Sequence, residues 1–181
     1  MTAPLVVLIG PPGSGKSTVA ARLADRWSVS ARDTDVDVIE IDGREIAEIF
    51  IESGEAAFRA LEREAVREAL STHGGVLALG GGAILDPDTQ ADLREYAAGG
   101  GTVVFLNVGL ATAARRVGLA HSRPLLVGSP RAAWRKLMEE RRGIYESLAT
   151  MILETDGLSP RELAASIAEG VGAGRSSGGA Q

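Results

Sequence analysis

One junction constrains the fold more than any other stretch: Leu5-Val6-Val7-Leu8-Ile9 runs straight into Gly10-Pro11-Pro12-Gly13-Ser14-Gly15-Lys16-Ser17. A short, continuous apolar run suits a strand buried on both faces, which places it inside a parallel sheet. Beyond the turn, Val19, Ala20, Leu23 and Ala24 recur at helical spacing. Strand, glycine-rich turn and helix make half of a βαβ unit. The turn matches G-x-x-x-x-G-K-[ST] in full, and each position has a physical task. Glycines let the backbone curl so that successive amides face an anion at the positive end of a helix. Lys16 reaches the β- and γ-phosphates of a nucleotide, and the Ser17 hydroxyl is a ligand for Mg²⁺. Gly13, Ser14, Gly15, Lys16, Ser17 and Thr18 are thus the expected contacts of ATP. A chance glycine turn is the alternative, and the flanking strand and helix argue against it. The loop names the nucleotide and leaves the acceptor open.

Further buried runs appear at Val76–Leu79, Val103–Leu106 and Met151–Leu153, and another leads into Asp33-Thr34-Asp35. Between them lie amphipathic stretches. From Glu55 to Leu70, Phe58, Leu61, Glu62, Ala65, Val66 and Ala69 fall on one helical face. Ser159-Pro160-Arg161-Glu162 reads as a capping box with proline at the first helical position, opening a last helix that ends near Gly170. Strands alternating with helices predict an α/β fold on a mostly parallel sheet. With 181 residues the chain suits one domain over 1–170, and the Gly/Ser-rich 171–181 reads as a disordered tail.

Charge and residue usage exclude several function classes. The net charge of −5 supplies no basic field for nucleic acid or acidic membranes, so an anionic ligand must be held by local arginines, lysine and amides. Cysteine is absent, and His73 and His121 are too separate to suggest a metal cluster. The N-terminus carries no basic segment ahead of a signal-length apolar run. A cytoplasmic protein, with monomer as the default, is the resulting expectation.

In this order, Gly10–Thr18, Asp33-Thr34-Asp35, Ile46–Phe50, Gly54–Arg59, Gly80-Gly81-Gly82-Ala83, Arg123-Pro124-Leu125-Leu126, and Arg141 ahead of Ile144-Tyr145 closely resemble the shikimate kinase family. The resemblance spans about Leu5 to Pro160. It implies a three-layer P-loop kinase fold, with a five-stranded sheet flanked by helices and a mobile lid at about 112–126. It also implies that ATP phosphorylates shikimate. On the matched positions, Asp33 supports Mg²⁺ beside Ser17, and Asp35 orients the attacking hydroxyl. A loose phosphoryl-transfer transition state needs positioning more than a strong base, so an ordinary carboxylate suffices. Arg59 and Arg141 clamp the acceptor's carboxylate, for which a planar guanidinium is suited. Gly80, Gly81 and Gly82 line the acceptor. Arg123 closes over the phosphates with Lys16, and Arg116 reaches the nucleotide.

Taken without the resemblance, these residues keep plainer readings. The aspartates could cap the next helix. Arg59 could pair on the surface with Glu55 and Glu62, and Arg141 could belong to a solvated charged face. The glycine run could be a flexible loop, and His121 a solvated loop histidine. Trp27 and Trp134 have no clear place in the site. The chain also departs from the family where a basic residue often follows the last strand, since Thr155-Asp156-Gly157-Leu158 stands there. Gly-Pro-Pro-Gly is similar to adenylate kinases as well. Two other functions therefore share the phosphate loop: a kinase for gluconate or a nucleoside monophosphate, and a non-catalytic ATP-binding switch.

Overall fold

The computed structural model describes residues 2–118 and 130–177. Its sheet holds β1 (Val6–Ile9), β2 (Ala31–Asp33), β3 (Val76–Ala78), β4 (Val103–Asn107) and β5 (Met151–Glu154). They lie in the order β2-β3-β1-β4-β5, and every neighbouring pair is parallel. Side chains of successive strand residues leave on opposite faces. Val7 and Ile9 of β1 therefore enter one core with Val103 and Phe105, while Val6 and Leu8 enter another with Val104 and Leu106. Both faces need a cover, which is why these strands read as unbroken apolar runs.

Helices α1 (Lys16–Trp27) and α8 (Pro160–Ser177) close the second face with Val19, Leu23, Leu163 and Ile167. On the first face lie α4 (Gly54–Thr72), α5 (Pro87–Ala98), α6 (Leu110–Gly118) and α7 (Pro130–Leu148). Two shorter helices, α2 (Thr34–Asp42) and α3 (Ile46–Glu52), pack on α4 over a small third cluster of Val38, Ile49, Phe58 and Ala65.

Because the strands are parallel, the segments after β1, β2, β3 and β4 all emerge at one edge. From β1 the chain leaves toward β2, while from β3 it crosses toward β4, so the crevice between them is the expected ligand position in an open α/β sheet. The capping box at Ser159 forms: its N–H donates to Glu162 at 2.8 Å, and the Glu162 N–H donates to the serine hydroxyl at 3.3 Å. The helix it opens does not stop near Gly170. It continues to Ser177, anchored by Val171, which is buried in the second core, and by Gly170, whose bare Cα packs beside the Met151 side chain. Burial of one apolar residue thus carries the helix into the Gly/Ser-rich segment. Among the described residues no helix is long and apolar enough to cross a membrane.

Candidate active site

The Gly10–Ser17 segment turns from β1 into the first turn of α1, as the motif predicts. Lys16 Nζ donates to the carbonyls of Gly10 (2.7 Å) and Pro11 (3.2 Å), which holds the ammonium against the curl of the loop. Gly13, Gly15, Lys16, Ser17 and Thr18 line a cleft of about 310 Å³ that Asp33, Asp35, Leu79 and Arg116 complete. Ser14 is fully buried, so it supports the loop from beneath. Across the cleft, Arg116 donates to the carbonyl oxygens of Gly13 (3.1 Å) and Ser14 (3.4 Å).

Asp33 does two things at once. One carboxylate oxygen accepts the Asp35 N–H at 3.0 Å, which caps α2, and the other accepts the Ser17 hydroxyl. The capping reading and the cation reading of Asp33 are therefore compatible. A hydroxyl beside a carboxylate is an oxygen-only pair of the kind that suits a hard divalent cation. No group of three or more His, Cys, Asp or Glu side chains able to hold a metal exists among the described residues. Ser17 and Asp33 would have to share Mg²⁺ with nucleotide phosphates, the usual arrangement for that ion.

The acceptor-side residues converge from three elements. Arg59 donates to Glu62 at 2.6 Å and to Glu55 at 3.3 Å. This is no surface pair, because the Glu62 side chain is only 4% exposed. Burial pushes the Glu62 carboxyl above the usual carboxylate range; Arg59 and Arg141 pull it back down, and Asp35 pushes it further up. Arg141 is 8% exposed, so it belongs to no solvated face either. One of its guanidinium nitrogens donates to the Gly81 carbonyl at 3.0 Å, and its buried Nε has no hydrogen-bond partner among the described residues.

Gly80 and Gly82 are glycines because the backbone passes between these groups. A Cβ on Gly80 would come within 2.5 Å of Asp35 Oδ1 and 2.7 Å of Glu62 Oε1, and one on Gly82 would strike the Arg59 guanidinium. Both residues are buried, so the run is a built wall of the site. The Gly80 N–H donates to the Thr34 hydroxyl at 2.9 Å, which fastens the glycine run to the Asp33-Thr34-Asp35 turn.

Four contributors escaped the sequence reading: Thr34, Glu62, Trp134 and Tyr145. Thr34 lay inside a recognised motif without a role. Glu62 sat on the apolar helical stripe, and its position there was a usable sign of burial. Tyr145 is buried, stacks on Phe105 with ring centroids 5.0 Å apart, and donates its hydroxyl to the Gly81 carbonyl. Burial raises its phenol well above the ordinary value. Trp134, which has no clear place in the sequence pattern, donates its indole N–H to the Pro12 carbonyl at 3.1 Å. Past the last strand, Asp156 accepts the Gly109 N–H at 3.1 Å and Leu158 is 39% exposed. Arg123, His121 and Pro124–Leu126, in the second half of the expected lid, lie outside the described residues.

The nucleotide loop and the arginine–carboxylate cluster share one edge of the sheet, which makes the protein a P-loop small-molecule kinase. Comparison with known proteins narrows the class. The family model for shikimate kinase matches residues 12–171. The shikimate kinase of Streptomyces coelicolor is 55% identical over 163 residues, which are 90% of this chain and 92% of that protein. Among solved structures, shikimate kinase from Acinetobacter baumannii in complex with shikimate superposes with a TM-score of 0.87 at 31% identity, covering 94% of this chain and 93% of the other. A gluconokinase from Sinorhizobium meliloti, with a TM-score of 0.58 at 21% identity over 92% of this chain and 90% of its own, shares the fold alone. The chain belongs to the shikimate kinase family, and it is an ATP-dependent phosphotransferase.

Proposed function

We propose that the protein transfers the γ-phosphoryl group of ATP to the 3-hydroxyl of shikimate, giving shikimate 3-phosphate and ADP. The observation that carries this is the meeting of the phosphate loop with the buried Arg141, the half-buried Arg59 and Asp35 around Gly80–Gly82. A carboxylate-bearing polyol suits that wall: the guanidinium groups of Arg59 and Arg141 bind the carboxylate, and Asp35 accepts from a ring hydroxyl. In the reaction that hydroxyl oxygen forms a bond to Pγ as the bond from Pγ to the β,γ-bridging oxygen breaks. Its proton passes to Asp35 or on to solvent. Lys16 and the amides of Gly13–Thr18 receive the charge that spreads over the phosphoryl oxygens. Mg²⁺ shared by Ser17 and Asp33 would neutralise the phosphates. Arg123 keeps the charge-stabilising role that the family resemblance gives it. Arg116 and Leu158 offer a flat cation and an apolar side chain for adenine. The cytoplasm, which supplies ATP, is the proposed compartment.

The test is ADP release with Mg-ATP and shikimate, gluconate or nucleoside monophosphates offered in parallel. Shikimate-dependent turnover of about 1–100 per second is expected, and Arg59→Ala should raise the shikimate KM about tenfold or more while sparing the ATP KM. Turnover with a nucleoside monophosphate alone would discard the carboxylate clamp, and turnover with gluconate alone would keep the clamp and discard shikimate as the acceptor. Nucleotide binding without acceptor-stimulated turnover would favour the non-catalytic switch.

A further inference from the structure

We propose that Trp134 is a positioning residue of the phosphate loop, a proposal that rests on the nucleotide reading above. Its indole N–H holds the Pro12 carbonyl and thereby aims the Gly13 N–H at the nucleotide phosphates. Pro11 and Pro12 carry no N–H, so after Gly10 the first amide available to an anion is that of Gly13. A peptide unit is planar, and a trans unit points its C=O and its N–H in opposite directions. No peptide bond among the described residues is cis. The orientation of the Pro12 carbonyl therefore sets that of the Gly13 N–H.

Trp134 fixes the carbonyl by a 3.1 Å bond made in a buried setting, with the tryptophan itself 4% exposed. Arg116 holds the next carbonyl, that of Gly13, at 3.1 Å. Both peptide planes that flank Gly13 are thus gripped by side chains more than 100 residues away in sequence. Gly13, with φ of 84°, is the hinge between them and lines the nucleotide cleft.

The same helix reaches the acceptor wall. Trp134, Arg141 and Tyr145 lie at i, i+7 and i+11 on one face of α7, and the last two donate to the Gly81 carbonyl. The two loops also touch, since a Cβ on Gly81 would meet the Pro12 ring at 3.0 Å. One face of α7 therefore sets the spacing between donor and acceptor loops. Trp134 belongs to the nucleotide half of that grip.

Trp134→Phe keeps the ring in the core and deletes the single donor. Titration calorimetry with Mg-ADP and, separately, with shikimate reads its effect. The expected result is ADP binding weakened about threefold to tenfold, the scale of one hydrogen bond, with shikimate affinity and the thermal midpoint close to wild type. Unchanged ADP affinity overturns the proposal. So does a joint loss of both affinities with a lowered midpoint, because that is what a packing role alone produces. Should the Phe variant fail to fold, Trp27→Phe leaves Trp134 as the single tryptophan. Its emission must then shift on adding Mg-ADP and stay put with shikimate alone; no shift with ADP overturns the proposal. Wild-type protein that fails to bind ADP at all would instead bring down the nucleotide reading, and this proposal with it.

Discussion

Arg59 and Glu62 lie one helical turn apart, and that spacing is the commonest form of an exposed, nearly worthless ion pair. Here it is no surface pair, because α4 turns Glu62 inward against Arg141, Asp35 and the glycine wall. A carboxylate removed from water needs cations close by, and two guanidinium groups meet that need. The arrangement has a signature in pH. Burial raises the folded-state value of Glu62 above its unfolded one, so in the window between them the folded protein binds more protons. Stability conferred through this group therefore falls as pH rises through that window, and the loss is complete above the folded value. Asp37 is raised too, by its own burial, so only a difference between proteins isolates Glu62. Glu62→Gln cannot titrate. Its unfolding free energy relative to wild type should rise as the pH climbs above the ordinary glutamate range, with a slope of up to about 1.4 kcal/mol per pH unit, and level off above the folded-state value. Urea unfolding at several pH values measures it, and a difference independent of pH would contradict the buried-carboxylate account.

Elements were more legible in the sequence than the ties between them. Four apolar runs gave β1, β3, β4 and β5, whereas the edge strand β2, Ala31-Arg32-Asp33, buries no residue and is no apolar run. The phosphate loop was readable because its chemistry is local: eight consecutive residues carry glycines, lysine and serine. The Asp33-Thr34-Asp35 turn and the Gly80–Gly82 run were found as separate segments. Their hydrogen bond joins residues 46 apart, and the bond from Trp134 to the loop spans 122. No periodicity reports such pairs, since nothing in a helix pattern says which distant carbonyl an indole will meet. Composition also misled at α8, where glycine-rich sequence suggested disorder and a single buried Val171 carried the helix onward. That element supports a sharp test. Ending the chain at Gly170 removes Val171 and should lower stability by about 1–3 kcal/mol, the value of one buried aliphatic side chain. Ending it at Gly172, which keeps Val171, should cost far less. Equal stability of the two truncations would show that Val171 anchors nothing.

At the scale of the whole molecule, stability is unevenly spread, and function follows the unevenness. The two large cores clasp both faces of the sheet and hold β1, the P-loop and α1. The α2–α3–α4 cluster is small by comparison, with four buried residues, Val38, Ile49, Phe58 and Ala65, and exposed apolar side chains at Val36, Ile41 and Ile51. Regions with few buried apolar contacts open locally at low free-energy cost, while central strands open only near the global limit. The nucleotide loop thus stands on the more extensively buried part of the protein, and the Asp35 and Arg59 side of the proposed acceptor site on the less buried part. Such a division suits a kinase, because a preformed phosphate cradle needs little reorganisation, whereas an acceptor pocket must admit its ligand and then exclude water. Native-state amide exchange should show it. Protection in α2 and α3 should be at least about tenfold lower than in β1 and β4, and saturating shikimate should raise it in α2 and α3 with little change in the strands. Mg-ADP alone should protect the Gly10–Thr18 segment and leave α3 nearly as it was. Equal protection of α3 and β1 in the free protein would mean that the small cluster is as cooperative as the cores, and that acceptor binding draws on no local ordering.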